Sequence, residues 1–242
     1  FGVDVSQAAW TIVARMLVIG STVFFFARLG SKIGHVRVYF VGVIIMAIAS
    51  LLAVTSANIN QAIVWSGVVG LGASMISSNA NPILAIVFGD KERGRAYSIP
   101  IIAARIGTLL GMALFGVFLQ FFSWRLVFLT SVPGGVFALW MARPVLEYEL
   151  LKATDAAKKV VLGSPSALLM MATLAVFILS GLHVHEGDES FVSAEALEYH
   201  LPVHALFLVM AVAFIIVQRR SAQPFLNFGN FKNSQFSMAL FS

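Results

Sequence analysis

The chain of 242 residues is 59% hydrophobic and only 11% charged, with a mean hydropathy of +0.90; soluble domains carry about 25% charged residues, so this reads as an integral membrane protein. Its 16 Lys and Arg outnumber its 11 Asp and Glu, but they fall between apolar runs rather than on one soluble face, which excludes a nucleic-acid binder. The lack of Cys excludes disulfides, thiol catalysis and zinc–thiolate centres together.

A spanning helix needs about 20 mostly apolar residues. Such runs lie at 8–29, 38–56, 62–88, 97–121, 126–142, 165–182 and 202–218, and another begins after Asn233. They predict an all-α polytopic membrane protein with about seven transmembrane helices and the start of an eighth. The loops at 28–37, 88–95, 143–164 and 218–234 hold every Lys and Arg except Arg15, Arg105 and Arg125. The positive-inside rule makes those loops cytoplasmic. Asp and Glu fall only between the spans, so no carboxylate is expected within the membrane.

In the first span Arg15 shares a face with Thr11 and Thr22, about 10 Å below the outer end, within reach of either a cavity or the headgroups. The loop that follows, ARLGSKIGHVR, has Gly30 and Gly34 to permit a tight turn, and Lys32 and Arg37 to anchor it at anionic headgroups. In the third span Ser66, Gly70, Ala73, Ser77 and Asn81 form a small and polar strip ending at Pro82, with Asn81 the candidate for lining an aqueous path. The fourth span, IIAARIGTLLGMALFG, carries a strip of small residues in which Gly107 and Gly111, followed by Gly116, invite close approach of another helix. Arg105 points to the opposite face with Thr108 and Met112, about 12 Å from the cytoplasmic end. An arginine so deep is costly against lipid, so a watery central cavity is expected there, with Thr108 and Ser66 among its candidate linings.

Beyond the sixth span, HVHEGDESFVSAEALEYHLPVH groups His183, His185, His200 and His204 with acids, but no spacing repeats a known metal site, so a solvated outer loop and no metal are expected. There is no intramembrane Ser/His or carboxylate pair and no phosphate-cradling glycine loop, so neither an enzyme nor a cofactor is expected.

The loop at 27–37 resembles the glycine-and-cation loop between helices 2 and 3 of the major facilitator superfamily. The segment DKERGRAYSIPIIAARIGTLLGMALFGVFLQFFSWRLVFLTSVPGG, 90–135, is similar to the fourth-loop to sixth-helix region of the fourteen-helix drug:proton antiporter branch. It matches at Arg93-Gly94-Arg95-Ala96, Gly107, Gly111, Gly116, Ser123-Trp124-Arg125, Phe128, Pro133 and Gly135, and Trp10 stands where that branch commonly has Trp. The resemblance implies a partial major-facilitator fold: helices 2 to 6 in 1–142, a cytoplasmic linker at 143–164, two accessory helices in 165–218, and a loop with the start of the second half in 219–242. The chain begins at Phe1 without an initiator Met and stops inside an apolar run, and so reads as a fragment lacking helix 1 and most of the second half.

The implied activity is secondary active transport, an efflux of small hydrophobic or amphipathic compounds by alternating access. The implied partners are the lipid bilayer, a small-molecule substrate and protons, in a plasma or bacterial inner membrane, with Gly30, Ser31, Lys32, Gly34 and Arg37 as the cytoplasmic gating loop. The sequence departs from the family where coupling is concerned. Ser31 replaces the loop acid, Ser66 and Val69 replace an Arg and a Gln of helix 4, and Met112 and Phe115 replace a Pro and a Gly of helix 5. An anion carrier or facilitator without proton coupling is the alternative, and a transport-dead scaffold or sensor the alternative of another class.

Overall fold

The structure, a computed structural model, describes residues 5–89, 91–122, 125–151, 165–180 and 194–220. Among them there is no strand. The order is α1 (Val5–Ile33), α2 (His35–Val54), α3 (Ile59–Val87), α4 (Arg93–Phe121), α5 (Arg125–Leu129), α6 (Ser131–Leu151), α7 (Pro165–Ser180) and α8 (Ala194–Arg220). Six described helices are long and apolar enough to cross a membrane, and Ala167–Ser180 is a shorter apolar one. The chain is an all-α polytopic membrane protein. Its contacts fall into two units, Phe1–Val160 and Val161–Ser242.

Lipid tails are as apolar as Leu, so helices in a membrane associate through close packing rather than through the hydrophobic effect. Glycines on α3 supply that packing in the first unit. Successive residues turn by about 100°, so Gly70 and Gly72 face nearly opposite sides of α3. A Cβ on Gly70 would stand 2.7 Å from the backbone oxygen of Arg15, and one on Gly72 would stand 2.5 Å from that of Gly42. Thus α1 lies against one side of α3 and α2 against the other, each in backbone contact. A polar pair reinforces the first seam, where the Thr22 hydroxyl donates to Ser74 Oγ at 2.9 Å across α1 and α3, and another ties α6 to α2, where the Ser131 hydroxyl donates to Ser50 Oγ at 2.8 Å.

The expected loop at 28–37 is almost wholly helical, a correction to the hydropathy boundaries. Hydropathy sees only the lipid-facing part of a helix, and α1 continues through its polar end to Ile33. Gly34 alone breaks it, with φ of 108°, in the left-handed region that favours glycine. The expected span 126–142 is likewise two helices, α5 and α6, parted at Thr130, and α6 runs on through Pro144 to Leu151 into the expected linker. Residues 152–164 of that linker and the expected eighth span after Asn233 lie outside the described residues.

In the second unit α7 and α8 pack antiparallel, the end of α7 against the start of α8. His200 is buried there and its Nδ1 donates to the Ser180 carbonyl at 3.1 Å, while Phe177 and Phe207 rings meet at 4.9 Å.

Candidate functional site

The first unit forms a half-open cavity of about 480 Å³. Its apolar wall comes from Met46 of α2, Val69 of α3, Leu110, Leu114 and Phe118 of α4, and Phe128 of α5. Ser50, Thr130 and Ser131 add a small polar edge, and Arg15 of α1 supplies the charge. No carboxylate is among the described residues lining it.

The position of Arg15 follows from the glycine seam. Because Gly70 has no side chain, α1 comes close enough to α3 for the arginine to lie half-buried beside the cavity. Its Nε is buried without a hydrogen-bond partner, and the guanidinium carbon stands 5.8 Å from the centroid of the Phe128 ring. An aromatic face stabilises such a cation by electrostatic attraction to its quadrupole, but accepts no hydrogen bond in its plane.

The structure gathers only some of the residues singled out from the sequence. Arg15, Gly107 and Gly111 line the cavity. Arg105 and Thr108 do not; both are exposed on α4, and the Thr108 hydroxyl donates to the Ala104 carbonyl of its own helix at 2.9 Å. A Cβ on Gly107, Gly111 or Gly116 would meet nothing within 4 Å, so among the described residues no helix packs on that strip. Ser66 is fully buried, its hydroxyl without a partner, and lies outside the cavity lining. The Asn81 side chain is exposed; its backbone carbonyl accepts the Tyr97 hydroxyl at 3.4 Å where α4 meets α3.

At the other end of the unit the α1–α2 corner is clasped to α3. Asn79 is fully buried; its Nδ2 donates to the Met75 carbonyl at 2.9 Å, and its Oδ1 accepts from His35 Nδ1 at 2.7 Å. A Cβ on Gly30 would collide with Asn79 Oδ1, so glycine is required for the close approach and not for the turn, which belongs to Gly34. The Ser31 hydroxyl donates to its own helix at Ala27, Lys32 lies in the last turn of α1, and Arg37 in the first turn of α2. Sequence reasoning passed over His35 and Asn79. Their signal is weak, a polar residue facing a glycine loop.

Two of the four histidines singled out from the sequence are described: His200 donates to the Ser180 carbonyl, and His204 Nδ1 to the His200 carbonyl at 2.7 Å. His183 and His185 lie outside the described residues.

Comparison with known proteins agrees with this architecture. The chain is 27% identical to the riboflavin transporter RibZ of Clostridioides difficile over 89% of its own length and 53% of that protein. It is 24% identical to multidrug resistance protein 3 of Bacillus subtilis, covering 96% of itself and 43% of the relative, and 29% identical to the cephamycin export protein CmcT of Amycolatopsis lactamdurans, covering 88% and 42%. It spans about half the length of these relatives, or less. Residues 1–229 match the family description throughout, and the chain belongs to the Major Facilitator Superfamily.

Proposed function

We propose that this chain is part of a secondary transporter that exports small hydrophobic or amphipathic compounds by alternating access. The observation that carries the reading is the cavity itself: an apolar chamber inside a helical half, with one arginine and a few hydroxyls on its wall. Small-molecule sites combine an apolar surface with a few placed polar groups in this way. The relatives support the substrate class, since their names refer to riboflavin, to multiple drugs and to cephamycin. In this reading the basic segments at 28–37, 88–95, 143–164 and 218–234 face the cytoplasm.

Proton coupling receives no support from the positions where the family carries it. Ser31, Ser66 and Val69 have no ionisable group, and Ser66 is sealed from the cavity. Antiport by the whole protein then requires an acid elsewhere in it.

The test is accumulation of fluorescent amphiphiles of each charge type in bacteria lacking their own efflux pumps, with and without the full-length gene, before and after a protonophore. Lower accumulation on expression is expected. Equal accumulation of every probe, with the protein present in the membrane, contradicts the export reading.

A further inference from the structure

We propose that Arg15, held over Phe128, is an anion-recognition point, so that the preferred cargo of this cavity is an amphipathic organic anion with one carboxylate or phosphate beside an aromatic or alkyl body. The inference rests on the transport reading above and adds its substrate class.

Three observations lead there. The guanidinium borders the cavity with its Nε buried and unbonded. The ring beneath it, 5.8 Å away, orients the cation and leaves its edge for a ligand. No described lining residue supplies a compensating carboxylate, so the charge of the chamber is positive. A carboxylate or phosphate placed against the fork takes two parallel charge-assisted hydrogen bonds, the strong kind. The apolar body would then lie along Leu110, Leu114 and Phe118. A cationic amphiphile of the same shape would meet like charge. Arg105, exposed on α4 and outside the lining, does not contribute.

The experiment uses three probes with one pyrene body: pyrenebutyrate, pyrenebutanol and pyrenebutyl-trimethylammonium. Binding to the purified full-length protein in nanodiscs is read by energy transfer from its tryptophans, and thermal stability is measured on the same samples. The parent is expected to bind the butyrate at least about tenfold more tightly than the alcohol, and the ammonium least, as one charge-assisted contact implies. Arg15→Gln should bind butyrate and alcohol alike while keeping its affinity for the alcohol. Arg15→Lys should keep part of the preference, since it retains the charge without the planar fork.

A parent that binds all three probes equally overturns the anion claim and leaves the cavity reading standing. A parent that binds none of them overturns both. If Arg15→Gln keeps the butyrate preference, the anion point is not Arg15. If the parent shows no preference and Arg15→Gln is destabilised, the arginine belongs to an ion pair within the protein, and the proposal is wrong.

Discussion

Replacing Gly72 by Ala adds one methyl group at the crossing of α2 and α3. The new Cβ would stand 2.5 Å from Gly42 O, 2.7 Å from Met46 N and 2.8 Å from Met46 Cβ. Two of these are backbone atoms, so no rotamer change relieves them, and the helices must separate by about 1 Å to restore ordinary contact. A gap of that size forfeits up to half of each dispersion well; over roughly twenty atom pairs along the seam the loss is about 1 kcal/mol. Residual overpacking raises the cost to about 1–3 kcal/mol. The higher helix propensity of Ala offsets about 0.8–1 kcal/mol of it. Gly67→Ala is the control: its Cβ would meet only Val18 Cγ2 at 3.8 Å, so the propensity gain should act alone. Gly72→Ala is therefore expected to be about 2 kcal/mol less stable than Gly67→Ala. The assay is unfolding of the full-length protein by SDS titration in mixed micelles, followed by tryptophan fluorescence. Equal stability of the two variants would refute the claim that α2 and α3 meet backbone to backbone.

The same measurement applies to the Gly30–Asn79 clasp and to the cap that Arg125 places on α2. Gly30→Ala should destabilise the protein by about 1–3 kcal/mol because its methyl group displaces Asn79 Oδ1. Adding Asn79→Ala to it should cost less than the sum of the two single changes, since the collision partner is gone; strict additivity would show that the two residues do not touch. Arg125, whose Nε and Nη2 donate to the Val54 and Ser56 carbonyls at 3.0 and 3.4 Å, closes the C-terminus of α2 from the start of α5. Arg125→Gln should cost about 1 kcal/mol, less than a buried charged hydrogen bond because the side chain is exposed. No loss of stability would remove that capping role.

Much of the fold is legible in the sequence because lipid imposes a coarse rule: long apolar runs must be helices, and cations mark their cytoplasmic ends. The rule is blind to where a helix ends within its polar flank, which is why α1 reaches Ile33 and only Gly34 separates it from α2. It is also blind to a break such as Thr130, where both flanking helices are apolar. The glycine contacts were only partly readable. Gly70 stands in the small-residue strip read from the sequence, whereas Gly72, on the opposite side of α3 and against the Gly42 backbone, does not belong to that strip, and its role appears only once α2 is packed. The candidate site was harder. Arg15 and Arg105 are both lone cations in apolar runs, and what distinguishes them, a Phe128 ring from a helix more than a hundred residues away and a glycine opposite the backbone, exists only after packing. The strip at Gly107 and Gly111 shows the same limit: small residues permit close approach of a helix or of a ligand, and periodicity does not distinguish the two.

The central claim is that the Gly107–Gly111 face of α4, and not the Arg105 face, borders the water-accessible chamber. The Cys-free chain permits one direct measurement. Gly111→Cys and Arg105→Cys, each made alone in a full-length background without other cysteines, are treated in native membranes with a charged, water-soluble methanethiosulfonate reagent, with and without pyrenebutyrate. The account predicts that the cysteine at 111 reacts and is protected by the ligand, while the cysteine at 105 is unprotected. Reaction and protection at 105 with none at 111 would place the chamber on the other face of α4 and contradict the account.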